Sequence, residues 1–336
     1  MDRRTFLVGA ASGVAAFTGI AGAQAPAAPA AGGQARGAGA APAAGRQGGG
    51  GRGAPAPANV PAHKLARVSM MTLQFGMYVI PNRGTPTPEQ TLTALDLPKM
   101  VKDYYGVTHI EYQLGDIRTK SETDPNFIKE LKAKLDENQV TMSQINMEIG
   151  APLGMTADAA GRQEGIALLK KWTDIANQYG CKRLMLNQNQ GALTKDKKAQ
   201  AVAYMKELAA FGKANGGVMF SVETRGAAQT PELAANLGVK PWEFMIEIVE
   251  EAGANSNVDI GNVGAMNQQE LHDCIKRWYP TTSGNMHIKG SPYWDIGTAV
   301  RFTEGLGYKG LYSLEINNAG HGAVRLAYNT ILANLA

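Results

Sequence analysis

Four ionisable residues lie at the ends of short β-rich stretches in the second half of the sequence: Glu223, Asp259, His287 and Glu315. Each alternates with apolar residues along its stretch, so the ionisable side chains share the face opposite the apolar one. Three carboxylates and one imidazole that face one another carry excess negative charge, which is costly to bury without a cation. The set therefore predicts one divalent metal ion. Its mixed nitrogen and oxygen donors favour Mn²⁺, with Mg²⁺ or Co²⁺ as alternatives, over a thiol-rich zinc site.

A barrel of parallel strands would bring these four residues together. From residue 63 onward, β-rich stretches alternate with stretches of helical period, and the alternation repeats eight times. This predicts a single-domain (β/α)₈ TIM barrel over 63–336, in which strand ends form a mouth that carries the chemistry. A doubly wound sheet usually has fewer strands and a GxGxxG motif after the first strand, which this sequence lacks. The predicted strands are 67–75, 109–114, 140–147, 182–187, 217–223, 257–260, 285–289 and 310–316.

Earlier predicted strands carry further polar side chains on their inward faces. Glu111, Gln144, Asn146 and Asn187 are expected around the mouth of the barrel. Amide groups suit the paired hydrogen bonds that sugar hydroxyls make, so we assign this group to substrate binding. Their alternative role is to satisfy backbone groups at the top of the barrel.

Two cations and one aromatic residue complete the predicted site. Lys289 shares the inward parity of His287 and is expected to stabilise a developing oxyanion or to pair with a ligand carboxylate. Arg225 follows Glu223 by two positions and would hold an anionic substituent or form a surface ion pair. Trp294, in the loop after the seventh predicted strand, would stack on a sugar ring or pack against its neighbours.

The order and spacing of these residues resemble the sugar phosphate isomerase/epimerase family, the xylose-isomerase-like barrels. The resemblance spans residues 65 to 336 and depends on a Glu, an Asp-x-Gly-Asn, a His-x-Lys and a Gly-Tyr-x-Gly turn that leads into Leu-Glu-Ile. The segments that carry it are VET at 222–224, VDIGNVG at 258–264, MHIKG at 286–290 and GYKGLYSLEI at 307–316.

The resemblance implies a set of roles. Glu223, Asp259, His287 and Glu315 correspond to the residues that bind one Mn²⁺-type ion in that family. The two glutamates correspond to the pair that transfers protons in the epimerases. The predicted ligands from strand parity and those implied by the resemblance are therefore the same.

One position departs from the family pattern. Many relatives have His-x-Lys-Asp where this chain has His287, Lys289 and Gly290. An acidic residue that supports the ligands is therefore either absent here or supplied by Asp295. The difference bears on the substrate more than on the metal.

The first 62 residues differ in composition from the rest. Residues 1–23 contain Arg3 and Arg4, a weakly apolar run and a small-residue cleavage site, which together predict a twin-arginine-type signal peptide. The apolar run is too short and too polar to predict a stable transmembrane segment. Residues 24–62 consist mainly of Ala, Gly and Pro, and predict a disordered tether. We therefore expect a periplasmic or secreted protein.

The net charge limits the expected partners, and the cysteine content indicates the state of the thiols. The net charge of +4 is small for 336 residues, so nucleic acid is not an expected partner. Cys181 and Cys274 fall in unrelated elements and are expected to be free and buried, because twin-arginine substrates fold where thiols stay reduced. The sequence leaves the oligomeric state open.

The hypothesis that follows is a metal-dependent isomerase or epimerase of a sugar or sugar derivative, which moves a proton through a metal-stabilised enediolate. One alternative is a lyase or hydrolase that acts on an oxidised (keto) glycoside at the same site. Another is a non-catalytic carbohydrate-binding barrel, against which the two retained glutamates argue, because binding alone needs only hydrogen-bonding groups. An apurinic endonuclease is disfavoured, since the sequence shows neither extra metal ligands nor a basic DNA groove.

Overall fold

The computed structural model describes residues 60–81, 85–187, 193–224, 230–264, 267–317 and 319–336. Arg225, the predicted signal peptide and all but the last three residues of the predicted tether lie outside these ranges. Within the described part of the chain, no helix is both long enough and apolar enough to cross a membrane.

The strands of the described chain form one parallel, eight-stranded sheet that closes into the predicted barrel. The strands follow one another in sequential order, and the first strand pairs with both the second and the eighth. The sixth and seventh strands form the two remaining edges, which meet through main-chain hydrogen bonds, for example from the amide of His287 to the carbonyl of Val258 at 2.9 Å. The strands are β1 (Val68–Met71), β2 (His109–Gln113), β3 (Thr141–Met147), β4 (Arg183–Leu186), β5 (Met219–Glu223), β6 (Asn255–Asn257), β7 (Asn285–Ile288) and β8 (Leu311–Leu314).

Helices follow the strands and pack around the sheet. Several end at the predicted glycines: Gly106, Gly180 and Gly253 have φ values of 71°, 76° and 63°, the left-handed conformation that caps a helix without steric cost. The helices are α1 (Ala62–Leu65), α2 (Leu97–Tyr105), α3 (Leu114–Thr123), α4 (Pro125–Glu137), α5 (Ala159–Tyr179), α6 (Lys198–Ala214), α7 (Pro231–Leu237), α8 (Pro241–Ala252), α9 (Gln268–Trp278), α10 (Ile296–Gly305) and α11 (His321–Asn334).

All eight strands of the described chain are shorter than predicted; the first is shortened most, and the sixth begins two residues earlier than expected. The first stops at Met71 and continues as the 3₁₀ turn Thr72–Phe75. There the hydroxyl of Thr72 accepts a hydrogen bond from the amide of Gln113 at 2.9 Å and donates one to the Asp116 carboxylate. The sixth is regular only over Asn255–Asn257, beyond which Asp259 is held by an isolated bridge to β7.

The strands separate an apolar outer layer from a polar interior. On β8, Tyr312 and Leu314 face the helices while Ser313 faces inward, and all are fully buried. The same alternation on the other strands lines the barrel with hydrogen-bonding side chains beneath the mouth. Those that are fully buried include Ser69, Glu111, Gln144, Ser221, Asn257, Asn285, His287 and Ser313. Cys181 and Cys274 are free and buried, as predicted.

Candidate metal centre

The four predicted ligands lie together at the mouth. Glu223 ends β5, His287 lies within β7, Glu315 directly follows β8, and Asp259 lies two residues beyond the end of β6. Each offers one ligand atom, and these atoms lie within 4.8 Å of one another. Asp259 and His287 are completely buried, whereas Glu223 and Glu315 keep 4% and 7% of their surface exposed. The two glutamates are thus the members of the set that a substrate can touch.

The imidazole of His287 stands at the centre of the cluster. Its Nδ1 lies 2.9 Å from Oε2 of Glu315, 3.5 Å from Oε1 of Glu223 and 3.7 Å from Oδ2 of Asp259. On the opposite side, its Nε2 lies 2.8 Å from Oε1 of Glu111. The ring therefore presents Nδ1 to the carboxylates and is fixed from behind through Nε2.

Glu111 supplies that support from inside the barrel. Oε1 of Glu111 accepts hydrogen bonds from Nε2 of His287 and, at 3.1 Å, from Nε2 of Gln144. Oε2 accepts hydrogen bonds from Oγ of Ser313 at 2.7 Å and from Nδ2 of Asn285 at 3.0 Å. A carboxylate behind a ligating histidine sets its tautomer and orientation in many metal sites. The sequence assigned Glu111 and Gln144 to substrate binding, but both are fully buried one layer below the mouth. The acidic partner that Gly290 does not provide is therefore present on β2.

The Asp-x-Gly-Asn segment holds Asp259 and links it to Glu223. Asp259 Oδ1 accepts the backbone amides of Gly261 and Asn262 at 2.9 and 3.0 Å. The amide side chain of Asn262 donates to Asp259 Oδ2 at 2.6 Å and to Glu223 Oε1 at 3.2 Å. A Cβ on Gly261 would come within 2.3 Å of the Lys289 side chain, so glycine lets that lysine pass. The sequence motif by itself assigns no role to Asn262.

Lys289 reaches the same carboxylates. Its ammonium lies 3.0 Å from Asp259 Oδ2 and 2.8 Å from Glu315 Oε1. Of the two roles predicted for it, the contacts match pairing with ligand carboxylates. Because its side chain also lines the cavity above the cluster, it remains within reach of a bound ligand.

The donor atoms and charges suit a divalent cation. Nδ1 of His287 and Oε2 of Glu315 are buried, and within the described part of the chain neither has a well-aligned hydrogen-bond partner. Burial lowers the pKa of His287, but the surrounding carboxylates, led by Glu111, raise it well above its ordinary value. Burial raises the pKa of Glu223, but His287 holds it below its usual range. Even with His287 protonated, the three candidate ligand carboxylates and Glu111 face two positive charges among their described contacts, those of His287 and Lys289, so a divalent ion would neutralise the excess.

A cavity of about 240 Å³ opens above the cluster. Asn146 and Asn187 line it, as the sequence predicted, together with Glu223, Glu315 and Lys289. Its wall is mostly polar, which suits a hydroxylated ligand. The other lining residues are Leu73, Gln113, Glu148, Asn262 and Asn317.

Two residues near the seventh strand lie elsewhere than expected. Trp294 is 3% exposed, and its ring packs 4.7 Å from Phe302 and 4.8 Å from His272, so it has no open face for a sugar. Asp295 caps α10 by accepting the amide of Thr298 at 2.6 Å and does not support the metal ligands. Both belong to the packing of the helix layer.

An aromatic sandwich fixes the loop after β1 at the rim of the mouth. His321 stacks between Tyr78 and Tyr104, with centroid distances of 4.5 and 4.8 Å. Its Nδ1 pairs with the hydroxyl of Tyr105 at 2.8 Å, and its backbone amide donates to the hydroxyl of Tyr78 at 3.3 Å. These contacts join the loop after β1 and the end of α2 to the beginning of α11.

Comparison with known proteins places this architecture in a family. Residues 99–325 match the model of the xylose isomerase-like TIM barrel family. No curated protein matches the sequence. Among solved structures, D-psicose 3-epimerase with D-tagatose from Clostridium cellulolyticum H10 has a TM-score of 0.58 at 12% identity, covering 80% of this chain and 96% of that chain.

Two further structures are similar. A xylose isomerase-like TIM barrel protein from Mycobacterium smegmatis in complex with magnesium has a TM-score of 0.56 at 16% identity, covering 82% of this chain and 100% of its own. The 3-keto-D-glucoside 4-epimerase from E. coli has a TM-score of 0.54 at 10% identity, covering 80% and 98%. At such identities the likeness shows the fold alone. The family match spans more than half of the sequence, and the chain belongs to the xylose isomerase-like TIM barrel family.

Proposed function

We propose that this protein is a metal-dependent isomerase or epimerase of a sugar or sugar derivative, with Glu223 and Glu315 transferring the proton. One observation carries the proposal: of the four clustered ligands, the two glutamates line the polar cavity, while Asp259 and His287 are completely buried beneath it. Two carboxylates that both face a substrate suit proton removal and return. The names of the similar epimerases support the same class of reaction.

The residues divide between holding the ion and moving the proton. Glu223, Asp259, His287 and Glu315 would hold one divalent ion, for which Mn²⁺ is favoured and Mg²⁺ is the ion named in a similar structure. When bound, the ion supplies positive charge beside a carbonyl and its neighbouring hydroxyl, which stabilises the enediolate form of the sugar.

The two glutamates approach the cavity from different strands. Glu223 ends β5 and Glu315 follows β8, so a sugar in the cavity would lie between them. One carboxylate removes the proton from the hydroxyl-bearing carbon next to the carbonyl, and the other returns a proton to the opposite face of that carbon or to the former carbonyl carbon. The ammonium of Lys289, 2.8 Å from Glu315 Oε1, would stabilise negative charge that develops on the sugar oxygen.

The polar wall would orient the sugar. Asn146, Asn187 and Asn262 bring amide groups to the cavity, and such groups hydrogen-bond to hydroxyls in both directions. Arg225 was predicted to hold an anionic substituent, and this remains a prediction for a residue outside the described ranges.

The test is a screen of monosaccharides, disaccharides and their keto derivatives in D₂O with Mn²⁺-loaded protein. We expect solvent deuterium to enter one carbon of the substrate. Glu223→Gln and Glu315→Gln should each lower turnover by roughly two to four orders of magnitude, the range of a positioned acid or base. Metal content is measured in every preparation, so that loss of the ion is separated from loss of proton transfer.

Glu304 provides a matched control, because it is also a largely buried glutamate. It pairs with Arg67 at 2.7 Å and Tyr312 at 2.9 Å, away from the cavity. Glu304→Gln should keep turnover near the wild-type value. If a metal-replete Glu223→Gln or Glu315→Gln variant does the same, the two-glutamate mechanism is wrong.

A further inference from the structure

A second cavity lies beside the metal centre. It has a volume of about 520 Å³ and shares Glu148 with the cavity above the metal ligands. It opens between the loop after β1 and the beginning of α3. Its lining residues are Gly76, Val79, Ile80, Pro81, Leu114, Gly115, Asp116, Arg118, Thr119 and Glu148.

Two hydrogen bonds made by the hydroxyl of Thr72 connect the walls of the two cavities. The Thr72 hydroxyl accepts the backbone amide of Gln113, which lines the metal cavity, at 2.9 Å. The same hydroxyl donates to the carboxylate of Asp116, which lines the second cavity. The loop wall is supported in turn by the stacking of Tyr78 on His321. A ligand that fills both cavities would thus meet walls that are already positioned.

The walls of the second cavity differ from those of the first. Val79, Ile80, Pro81 and Leu114 make one side apolar, and Ile80 is 40% exposed although it is a large aliphatic residue. Exposed aliphatic surface at the edge of a cleft is typical of a ligand-binding wall. The first cavity, by contrast, is lined mainly by amides and charged groups.

The charges of the second cavity disfavour an anionic group. Among the described residues that line it, Asp116 and Glu148 bring two carboxylates, and the one cation, Arg118, lies 3.2 Å from Glu122. Among these described groups the carboxylates outnumber the cation, which favours a neutral occupant over a phosphate or carboxylate. A neutral group with an apolar face fits better.

The volumes of the two cavities indicate that a ligand would occupy both of them. The metal cavity, at about 240 Å³, is smaller than the range of roughly 300–1,000 Å³ usual for ligand pockets, whereas the neighbouring cavity of about 520 Å³ brings the cleft within it. Building on the proposed function, we infer that the substrate is a neutral keto glycoside, in which a ring carbon other than the anomeric one carries the carbonyl that enediolate formation requires. Its sugar ring lies at the metal centre, and its aglycone, an aromatic or second sugar ring with an apolar face, lies against Ile80 and Pro81.

Two glycines allow a matched test. Gly115 is the second residue of α3 and lines the second cavity, and a Cβ added to it would meet no atom within 4 Å. Gly322 is the second residue of α11, is equally exposed and also has open space, but it lines neither cavity. Gly115→Leu should therefore fill the aglycone site, while Gly322→Leu makes the same change of side chain elsewhere at the rim.

Binding is measured by calorimetry with Mn²⁺-loaded full-length protein. The probes are methyl and phenyl β-glycosides of glucose, galactose, mannose and xylose, which lack the keto group and so report binding without turnover, with the corresponding β-linked glucosyl disaccharides and the free monosaccharides. We expect the wild type to bind at least one phenyl glycoside or disaccharide about tenfold more tightly than its methyl glycoside, about the gain from burying one ring. Gly115→Leu should remove most of that preference without changing Mn²⁺ affinity, and Gly322→Leu should retain it. Preference for phenyl over disaccharide, or the reverse, identifies the aglycone.

Four results would overturn the inference. Equal affinity for methyl and larger glycosides would show that the second cavity is not used. A preference that survives Gly115→Leu would place the aglycone elsewhere. If no glycoside binds while free sugars bind and exchange deuterium, the glycoside inference is rejected and the proposed isomerase or epimerase function stands. If no sugar of any kind binds, both the inference and the proposed function are rejected.

Discussion

Replacement of Glu111 by glutamine tests whether the interior of the barrel controls the metal site. The two side chains have nearly the same shape, but glutamine has one acceptor oxygen and one donor nitrogen. In the native protein both carboxylate oxygens of Glu111 face donors: His287 and Gln144 on one side, Ser313 and Asn285 on the other. The amide nitrogen must therefore face donors whichever way it turns. We expect a loss of about 1–3 kcal/mol of folding stability from the mismatched hydrogen bonds.

The larger consequence concerns the imidazole. Without a carboxylate 2.8 Å from Nε2, His287 loses the partner that directs Nδ1 towards the other ligands. Loss of such a partner typically weakens metal binding by 10- to 100-fold, or about 1.4–2.7 kcal/mol. Titration of metal-free protein with Mn²⁺, with free Mn²⁺ followed by electron paramagnetic resonance, measures this change directly and does not depend on knowing the substrate.

Glu304→Gln is again the control, because it removes a buried carboxylate that is bonded to Arg67 and Tyr312 instead of the metal ligands. It should lower the melting temperature while leaving Mn²⁺ affinity unchanged. If Glu111→Gln behaves in the same way, destabilised but with wild-type affinity, then Glu111 is a packing residue and our account of His287 is refuted.

Three other predictions follow from the same features. Asp259→Ala should lower Mn²⁺ affinity at least 10- to 100-fold, as measured by metal analysis after dialysis, and a variant that retains a full equivalent would contradict the ligand set. Burial raises the pKa of Cys181 to about 12, so its thiol should react with Ellman's reagent at pH 8 only on unfolding. Because the thiol of the unfolded chain ionises near pH 8.5, the contribution of Cys181 to folding stability should fall as the pH rises above that value. Export should require Arg3 and Arg4, so conversion of both to lysine should retain the protein in the cytoplasm on cell fractionation, and undiminished export would exclude a twin-arginine signal.

The clustering of the four candidate ligands was predictable from sequence because it depends on two local regularities. Side chains alternate along a strand, and the C-terminal ends of parallel barrel strands meet at one mouth. Glu223 and Glu315 follow both rules directly, as does His287 within β7. Asp259 was placed correctly although the regular strand ends two residues earlier, because its bridge to His287 preserves the alternation.

Depth within the barrel was not predictable in the same way. Glu111 has the inward parity of a mouth residue, yet it pairs with Gln144 in register below the mouth, next to an irregularity in the pairing of β2 with β3. Parity gives the face of a strand, whereas depth depends on the stagger between strands. Trp294 illustrates a different limit, because it lies in the loop before α10 and tertiary packing brings it against Phe302 of α10 and His272 of α9.

The stacking of His321 on Tyr78 bears on the order in which the molecule assembles. The two residues are 243 positions apart, and the pairing of β1 with β8 spans a similar distance. Contacts between such distant segments require closure of a very long loop and form late in folding. The rim of the mouth near β1 is therefore completed by the last helix of the chain. During synthesis, the loop that lines the second cavity would remain without its support until α11 has been made, so a nascent chain that already contains all four metal ligands would still lack a finished cleft.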